Sequence, residues 1–267
     1  MWADGGGTLV VCGAGATGIE AAAEFASAYP KLRVHLLARR AFGEFGQFLG
    51  TGIAKYMRKS LEELGVVIHE HTIVTEVGPG EVRTSGGTLA YDVCLWTGGF
   101  IAPPLAREAG LAVNERGQVL VDPFMRSVSH PEVYAVGDSA WPVEEPGVKV
   151  RMSAFTATIM GAHGADSVAA ALKGETPKPL SFVYMGQGIA LGRNRAVGFG
   201  LSPDDKPKSY YFTGRVGYGI RESAVRVLGA VPGIEKRRPG SFPWLGKGRY
   251  EASKRQARRG VRVDSRP

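Results

Sequence analysis

Thr8-Leu-Val-Val-Cys-Gly-Ala-Gly-Ala-Thr-Gly-Ile-Glu20 is the stretch that decides how the rest of the chain is read. An apolar run, Leu9 to Cys12, stops at Gly13, and glycines 13, 15 and 18 have the G-x-G-x-x-G spacing. An Ala-rich helical segment, Ile19 to Ala28, follows at once. In a strand–turn–helix that binds a dinucleotide, each glycine has its own task. Gly13 permits the tight turn out of the strand, Gly15 lets the backbone approach a pyrophosphate, and Gly18 lets the helix pack close to the strand. The helix start, with Ala16 and Thr17, then offers free N–H groups and partial positive charge to phosphates. A chain with 38 glycines produces this spacing by accident; the strand before it and the helix after it supply the specificity.

Outward from this loop, Lys31 to Leu37 reads as a second strand, ending in Ala38-Arg39-Arg40. An acidic residue at that point accepts hydrogen bonds from the adenosine ribose of NAD, whereas arginine accommodates the 2′-phosphate of NADP. There is no carboxylate here and there are two guanidinium groups, which favours NADPH through bidentate phosphate contacts. The alternative is that Arg39 and Arg40 cap a surface turn. Gly52 to Leu64 has apolar residues at helical spacing, and Val66 to Ile68 is a short strand. Three brief alternating runs around Ile73–Val77, Glu81–Thr84 and Thr88–Tyr91 are separated by Gly-Pro-Gly and Gly-Gly turns, the pattern of an antiparallel meander. Val93 to Trp96 returns as a buried strand and ends in Thr97-Gly98-Gly99, closing a dinucleotide-binding domain near residue 100.

Further on, a short helix is expected around Leu105 to Ala109 and a strand at Val119 to Asp122. Val133-Tyr-Ala-Val136 reads as an apolar strand ending in Gly137-Asp138, where glycine permits close approach of a cofactor and the carboxylate can bond a sugar or ribityl hydroxyl. Ser153 to Leu172 is a long Ala-rich helix whose N-terminal N–H groups are free to face something electron-rich. Strands follow around Phe182–Met185, Gly188–Gly192 and Ala196–Gly200, with a polar loop at Ser202–Lys208. Tyr210 to Ile220 leads into a mixed segment containing Ala224, Val225 and Leu228.

The net charge of +8 resides in the last stretch: from Glu235 to Pro267 there are 11 Lys/Arg against 3 Asp/Glu, and the residues before it balance. Phe242 and Trp244 among these cations suit an anionic membrane surface, with a solvated disordered tail as the alternative. No specific nucleic-acid partner is expected. No apolar run reaches the ~18 residues of a membrane span, and no secretory signal pattern opens the chain. Cys12 and Cys94 form no disulfide framework, which suits a reducing cytoplasm. His69 and His71, placed on one face of a strand, lack a third ligand, so no metal site is expected.

G-A-G-A-T-G-I-E, the meander, L-W-T-G-G, and V-L-V-D-P with H-P-E-V-Y-A-V-G-D, taken in order, resemble the two-dinucleotide-binding-domain flavoproteins. Within these the chain is most similar to the branch of type II NADH dehydrogenases. The spacing Phe182-x-Tyr184-x3-Gly188-x-Ala190-x-Gly192 is similar to the C-terminal domain of that branch. The resemblance implies an α/β chain with four parts. These are a Rossmann-like NAD(P)H-binding domain with a β-meander (1–101), the returning half of an FAD-binding domain (102–174), a small α+β C-terminal domain (175–234) and a basic tail (235–267). It implies NAD(P)H on Gly13, Gly15, Ala16, Thr17 and Gly18, with Arg39 and Arg40 at the adenosine end and Thr97, Gly98 and Gly99 on the nicotinamide side. Gly137 and Asp138 would contact FAD near its pyrophosphate and ribityl chain, and Thr156, Ala157 and Thr158 would face the flavin ring. Glu20 matches a glutamate beside nicotinamide and flavin that positions the rings or relays a proton.

Family members normally open with a further glycine-rich motif for FAD, which this sequence lacks. A truncated reading frame or a partner chain is expected to account for it. The implied activity is hydride transfer from NAD(P)H to flavin and on to a small acceptor such as a quinone. The glutamines that line a quinone pocket are replaced here by Ala157-Thr158 and Ala162-His163. A homodimer, in the cytoplasm or peripheral on the inner face of the membrane, is the implied setting. The competing reading is a non-catalytic NAD(P)H-binding or interaction module with an incomplete flavin site.

Overall fold

The computed structural model describes residues 5–144, 150–202 and 205–248. In chain order the first elements are β1 (Thr8–Cys12), α1 (Ala16–Ala28), β2 (Arg33–Leu37), α2 (Gly52–Glu63) and β3 (Val67–His69). Next come β4 (Val74–Gly78), β5 (Glu81–Thr84), β6 (Gly87–Ala90) and β7 (Val93–Trp96). α3 (Leu105–Glu108), β8 (Val119–Val121), β9 (Ala140–Pro142) and α4 (Ala154–Leu172) follow. The last are β10 (Gly186–Ala190), β11 (Ala196–Leu201), β12 (Pro207–Phe212) and α5 (Gly214–Arg237). Two compact units result. One takes the described residues of Met1–Gly99, Gly186–Leu201 and Lys206–Ala224; the other takes Phe100–Met185, Ser202–Asp205 and those from Val225 onward.

The first unit is built on a parallel sheet ordered β3-β2-β1-β7. A parallel strand with both faces covered is apolar throughout rather than alternating, and Leu9, Val10, Val11 and Cys12 are all buried. One cover is α1, which buries Gly18, Ile19, Ala22, Ala23 and Ala26. Apart from Ile19 these are small residues at helical spacing, so the helix axis can approach the strands. The other cover is the antiparallel meander β4-β5-β6: Val10, Cys12 and Leu37 pack on Val82, flanked by Val74, Leu89, Tyr91 and Cys94. Burial, and then the neighbouring Cys94, push the Cys12 thiol up to about 12. α2 starts at Thr51, whose hydroxyl accepts from the Ala54 N–H at 3.2 Å. It stops at Gly65 (φ +78°), where Gly65 N–H bonds Glu62 O and Val66 N–H bonds Leu61 O, a left-handed helix terminus that favours glycine. A second, antiparallel sheet, β10-β11-β12, completes this unit, and all six residues of β11 are buried.

The second unit pairs β8 with β9 in parallel and carries α4. Its interior includes Val121, Met125, Ile159, Met160 and Leu180, beside an aromatic group in which the Phe155, Phe182 and Tyr184 ring centroids lie 5.4–6.4 Å apart.

Several expectations are corrected. Phe182–Met185 is not a strand: Phe182 and Tyr184 alternate as strand residues do, but they are buried in the aromatic group, and the ladder begins at Gly186. Val133–Val136 is likewise irregular, with one isolated bridge from Tyr134 to Arg126. The expected polar loop at Ser202–Lys208 gives way to β12 from Pro207. The segment after Tyr210 is the helix α5, which continues to Arg237, past the start assigned to the basic tail. The stretch expected as one domain at 175–234 is shared between the two units. His71 lies beyond β3 with φ +51°, so it does not share a strand face with His69; the partner of His69 is His35, with Nδ1 and Nε2 2.9 Å apart.

The basic stretch also differs from expectation. Trp244 is half-buried and donates its indole N–H to Ser181 O at 2.9 Å, while Lys247 stacks on its ring and pairs with Asp166. Arg249, Lys254, Arg255, Arg258 and Arg259 lie outside the described residues. Among the described residues no helix is long and apolar enough to cross a membrane.

Candidate dinucleotide-binding site

β1 hydrogen-bonds β2 on one side and β7 on the other, so the turn after Cys12 emerges at the carboxyl edge in the middle of the sheet. Open α/β sheets offer their ligand crevice at this edge. Gly13 has φ +120° and donates to Leu37 O at 3.0 Å. A side chain there would strike the Thr97 carbonyl at 2.6 Å. Thr97 holds the turn in place: its N–H reaches Cys12 O at 2.8 Å, and its hydroxyl contacts Cys12 O at 3.0 Å and Gly13 O at 2.8 Å. Gly18 is buried, and a Cβ on it would overlap the Gly13 carbonyl.

Gly15 differs from its two neighbours. It is the N-cap of α1, in extended conformation, and it makes no side-chain cap. A Cβ built on it meets nothing within 4 Å. Packing therefore does not demand glycine at this position. The first turn of α1 contains no acidic residue, so the partial positive charge of the helix start is left uncompensated there. Ala16 is half-buried and Thr17 exposed at this turn.

Arg39 and Arg40 are exposed at the end of β2, directly after the buried Ala38. Arg40 pairs with Glu44 at 2.9 Å, and Arg39 has no ion pair among the described residues. After β7, Gly98 lies against the Trp96 indole, where a Cβ would come within 2.7 Å, and Gly99 has φ +118°.

Glu20 is engaged with protein partners. Its Oε1 accepts from the Ala190 N–H at 2.8 Å and pairs with Arg221 at 3.3 Å. Burial pulls the Arg221 guanidinium down, but Glu20 and Glu222 more than offset it and raise it overall. Glu20 thus ties α1 to β10 and α5. Neither partner was identifiable from sequence, because they lie 170 and 201 residues away with no local pattern.

In the second unit Gly137 begins a short 3-10 turn with φ +67°, and a Cβ on it would sit 3.4 Å from Ala157 Cβ. Asp138 is exposed; its Oδ1 accepts from the Ser153 N–H at 2.9 Å, and its Oδ2 has no hydrogen bond among the described residues. Gln118, which sequence reasoning missed, holds this turn by donating to Asp138 O and Ala140 O. Thr156 faces inward: it is buried and its hydroxyl contacts Arg151 O at 2.6 Å and Ser153 O at 2.9 Å. The half-buried Thr158 bonds Ala154 O.

An open parallel α/β sheet with a three-glycine turn into an uncapped helix is the arrangement found in dinucleotide-binding folds. Residues 3–169 match the family described as pyridine nucleotide-disulphide oxidoreductase, and the chain belongs to that family. Over 146 residues it is 32% identical to an NADH dehydrogenase-like protein of Mycobacterium tuberculosis, covering 50% of this chain and 35% of that one. A type II NADH:quinone oxidoreductase of Staphylococcus epidermidis is 26% identical over 84% of this chain and 58% of its own length. The fold matches a solved FAD-dependent pyridine nucleotide-disulphide oxidoreductase from Desulfovibrio vulgaris with TM-score 0.58 and 20% identity, over 73% of this chain and 49% of that one. The chain thus spans roughly a third to three-fifths of these relatives.

Proposed function

We propose that the chain works in an FAD-dependent NAD(P)H oxidoreductase, with NAD(P)H bound on the loop from Gly13 to Gly18. The observation that carries this reading is the open face of Gly15 at an uncapped helix start, in a turn whose other two glycines are demanded by packing. The pyrophosphate would be taken by the first-turn N–H groups of α1, including Ala16, Thr17 and Gly18. Arg39, free of ion pairs among the described residues, would receive a 2′-phosphate, with Arg40 beside it. Thr97 fixes the floor of the loop, and Gly98 and Gly99 leave the nicotinamide side unobstructed by side chains of their own.

For FAD, Gly137 and the unused Oδ2 of Asp138 would take the pyrophosphate and ribityl region, with Ala157 and Thr158 on the adjoining turn of α4. When bound, a flavin would supply the hydride acceptor and the electron relay to a further acceptor, for which we propose a quinone. The support for a quinone is the name of the staphylococcal relative. Glu20 would act by position, since its carboxylate joins three elements. A peripheral place at an anionic membrane surface, through the basic residues after Glu235, belongs to the same proposal.

The test is spectroscopic. Purified chain, reconstituted with FAD, is expected to show flavin absorbance that bleaches on adding NADPH and returns with a quinone. Colourless protein that binds NADPH without turnover would establish the non-catalytic module instead.

A further inference from the structure

The first unit contains a second concavity that the glycine loop does not account for. It has a volume of about 510 Å³ and is lined by α2, the β10–β11 turn and the start of α5. Its charged lining is Lys59, Arg193, Arg195 and Arg215 against one carboxylate, Glu63. That carboxylate is shared, at 2.6 Å from Arg195 and 3.8 Å from Lys59. Arg193 reaches outward to Glu24 at 3.7 Å, and Arg215 has no ion pair among the described residues. Like charges gathered in a concavity raise the local potential and concentrate anions.

Ser60 lines the same cavity and sets a hydroxyl on its wall. Beside it, Tyr56 accepts the Gly214 N–H at 2.9 Å, which leaves the phenol proton available to a further acceptor. The first turn of α5 adds the partial positive charge of a 24-residue helix.

We propose that this cavity binds a small phosphate-bearing anion at a site separate from the glycine loop. Three guanidinium groups match phosphate oxygens bidentately, which favours phosphate over a lone carboxylate. The volume exceeds what a bare phosphate needs and falls in the range of small-molecule pockets, so the ligand carries an organic body as well.

Inorganic pyrophosphate serves as the probe, titrated calorimetrically into the full chain and into three variants. Arg215→Glu and Ser60→Ala alter the cavity, and Gly15→Val alters the loop. Expected in Gly15→Val is a saturable site with a dissociation constant below about 1 mM, weakened at least about tenfold when Arg215→Glu is added and about threefold when Ser60→Ala is added. Melting temperatures and NADPH binding should be unchanged in Arg215→Glu, whose side chain is exposed. Absence of saturable binding in Gly15→Val, or binding there that Arg215→Glu does not weaken when combined with it, overturns the proposal and leaves the loop reading untouched.

Discussion

At the start of α1 the N-cap is Gly15, no side chain accepts from the first turn, and no carboxylate stands in that turn. At the start of α4 the Ser153 hydroxyl accepts from the Thr156 N–H, Thr156 turns its own hydroxyl back onto Arg151 O, and Asp138 accepts from the Ser153 N–H. A positive-φ glycine lies close to each, Gly13 in the turn directly before α1 and Gly137 in an earlier turn set against Ala157 of α4. What separates them is where the donors go. The Thr156 N–H of α4 is taken by the chain's own Ser153 hydroxyl, whereas no side chain accepts from the first turn of α1. A glycine-bearing helix start is a strong anion site when the protein has not already supplied the oxygen.

Several substitutions put that contrast to the test. The largest effect is expected from Gly18→Val, whose added atoms overlap the Gly13 carbonyl: a loss of about 3 kcal/mol in urea unfolding, at the upper end for overpacking. Unchanged stability would mean that α1 is not pinned to the turn. Thr97→Val removes the hydroxyl that bonds Cys12 O and Gly13 O and should cost about 2 kcal/mol in the same measurement. NADPH binding should weaken with it as the loop loses its shape.

Arg39→Ala is expected to weaken NADPH about tenfold, worth roughly 1.4 kcal/mol, and to leave NADH unchanged; equal effects on both in a fluorescence titration would refute the phosphate role. Ser153→Ala should destabilise by about 1 kcal/mol, as lost N-caps do, and spare NAD(P)H affinity. The mildest effect is on pH. Burial lowers His163, His35 and His69, with His69 and then Arg33 adding to the shift at His35. A lowered histidine takes up more protons unfolded than folded. Stability is therefore complete above about pH 6.5 and falls as the pH drops from there towards the folded values. Melting temperatures measured from pH 7.5 down to 5.5 should decline; a rise would reverse the sign argued here.

The sequence made the first hundred residues legible because their signals are local. β1 is one apolar run, α1 carries small residues at helical spacing, and the meander announces itself through Gly-Pro-Gly and Gly-Gly turns. Beyond that, tertiary packing decided. Phe182 and Tyr184 satisfy a strand's alternation while packing with Phe155. α5 was obscured by Gly217, Gly219, Gly229, Pro232 and Gly233, poor helix formers. Gly217 is there because a Cβ would strike Ala196 O and Phe212 O. β12 starts on a proline, which is tolerated as the first residue of a strand. Within the candidate site, the tight packing of Gly13 and Gly18 followed from spacing. The self-satisfied N-cap of α4 and the pairing of Glu20 with Arg221 depended on contacts that no spacing encodes.

Gly15 is proposed to be glycine for the sake of a bound nucleotide. The most direct test is calorimetric titration of NADPH into the wild-type chain and Gly15→Val, alongside their thermal melts. Closely matching melts are expected, with at least about a hundredfold loss of affinity, roughly 2.7 kcal/mol. Undiminished NADPH binding in Gly15→Val would contradict it.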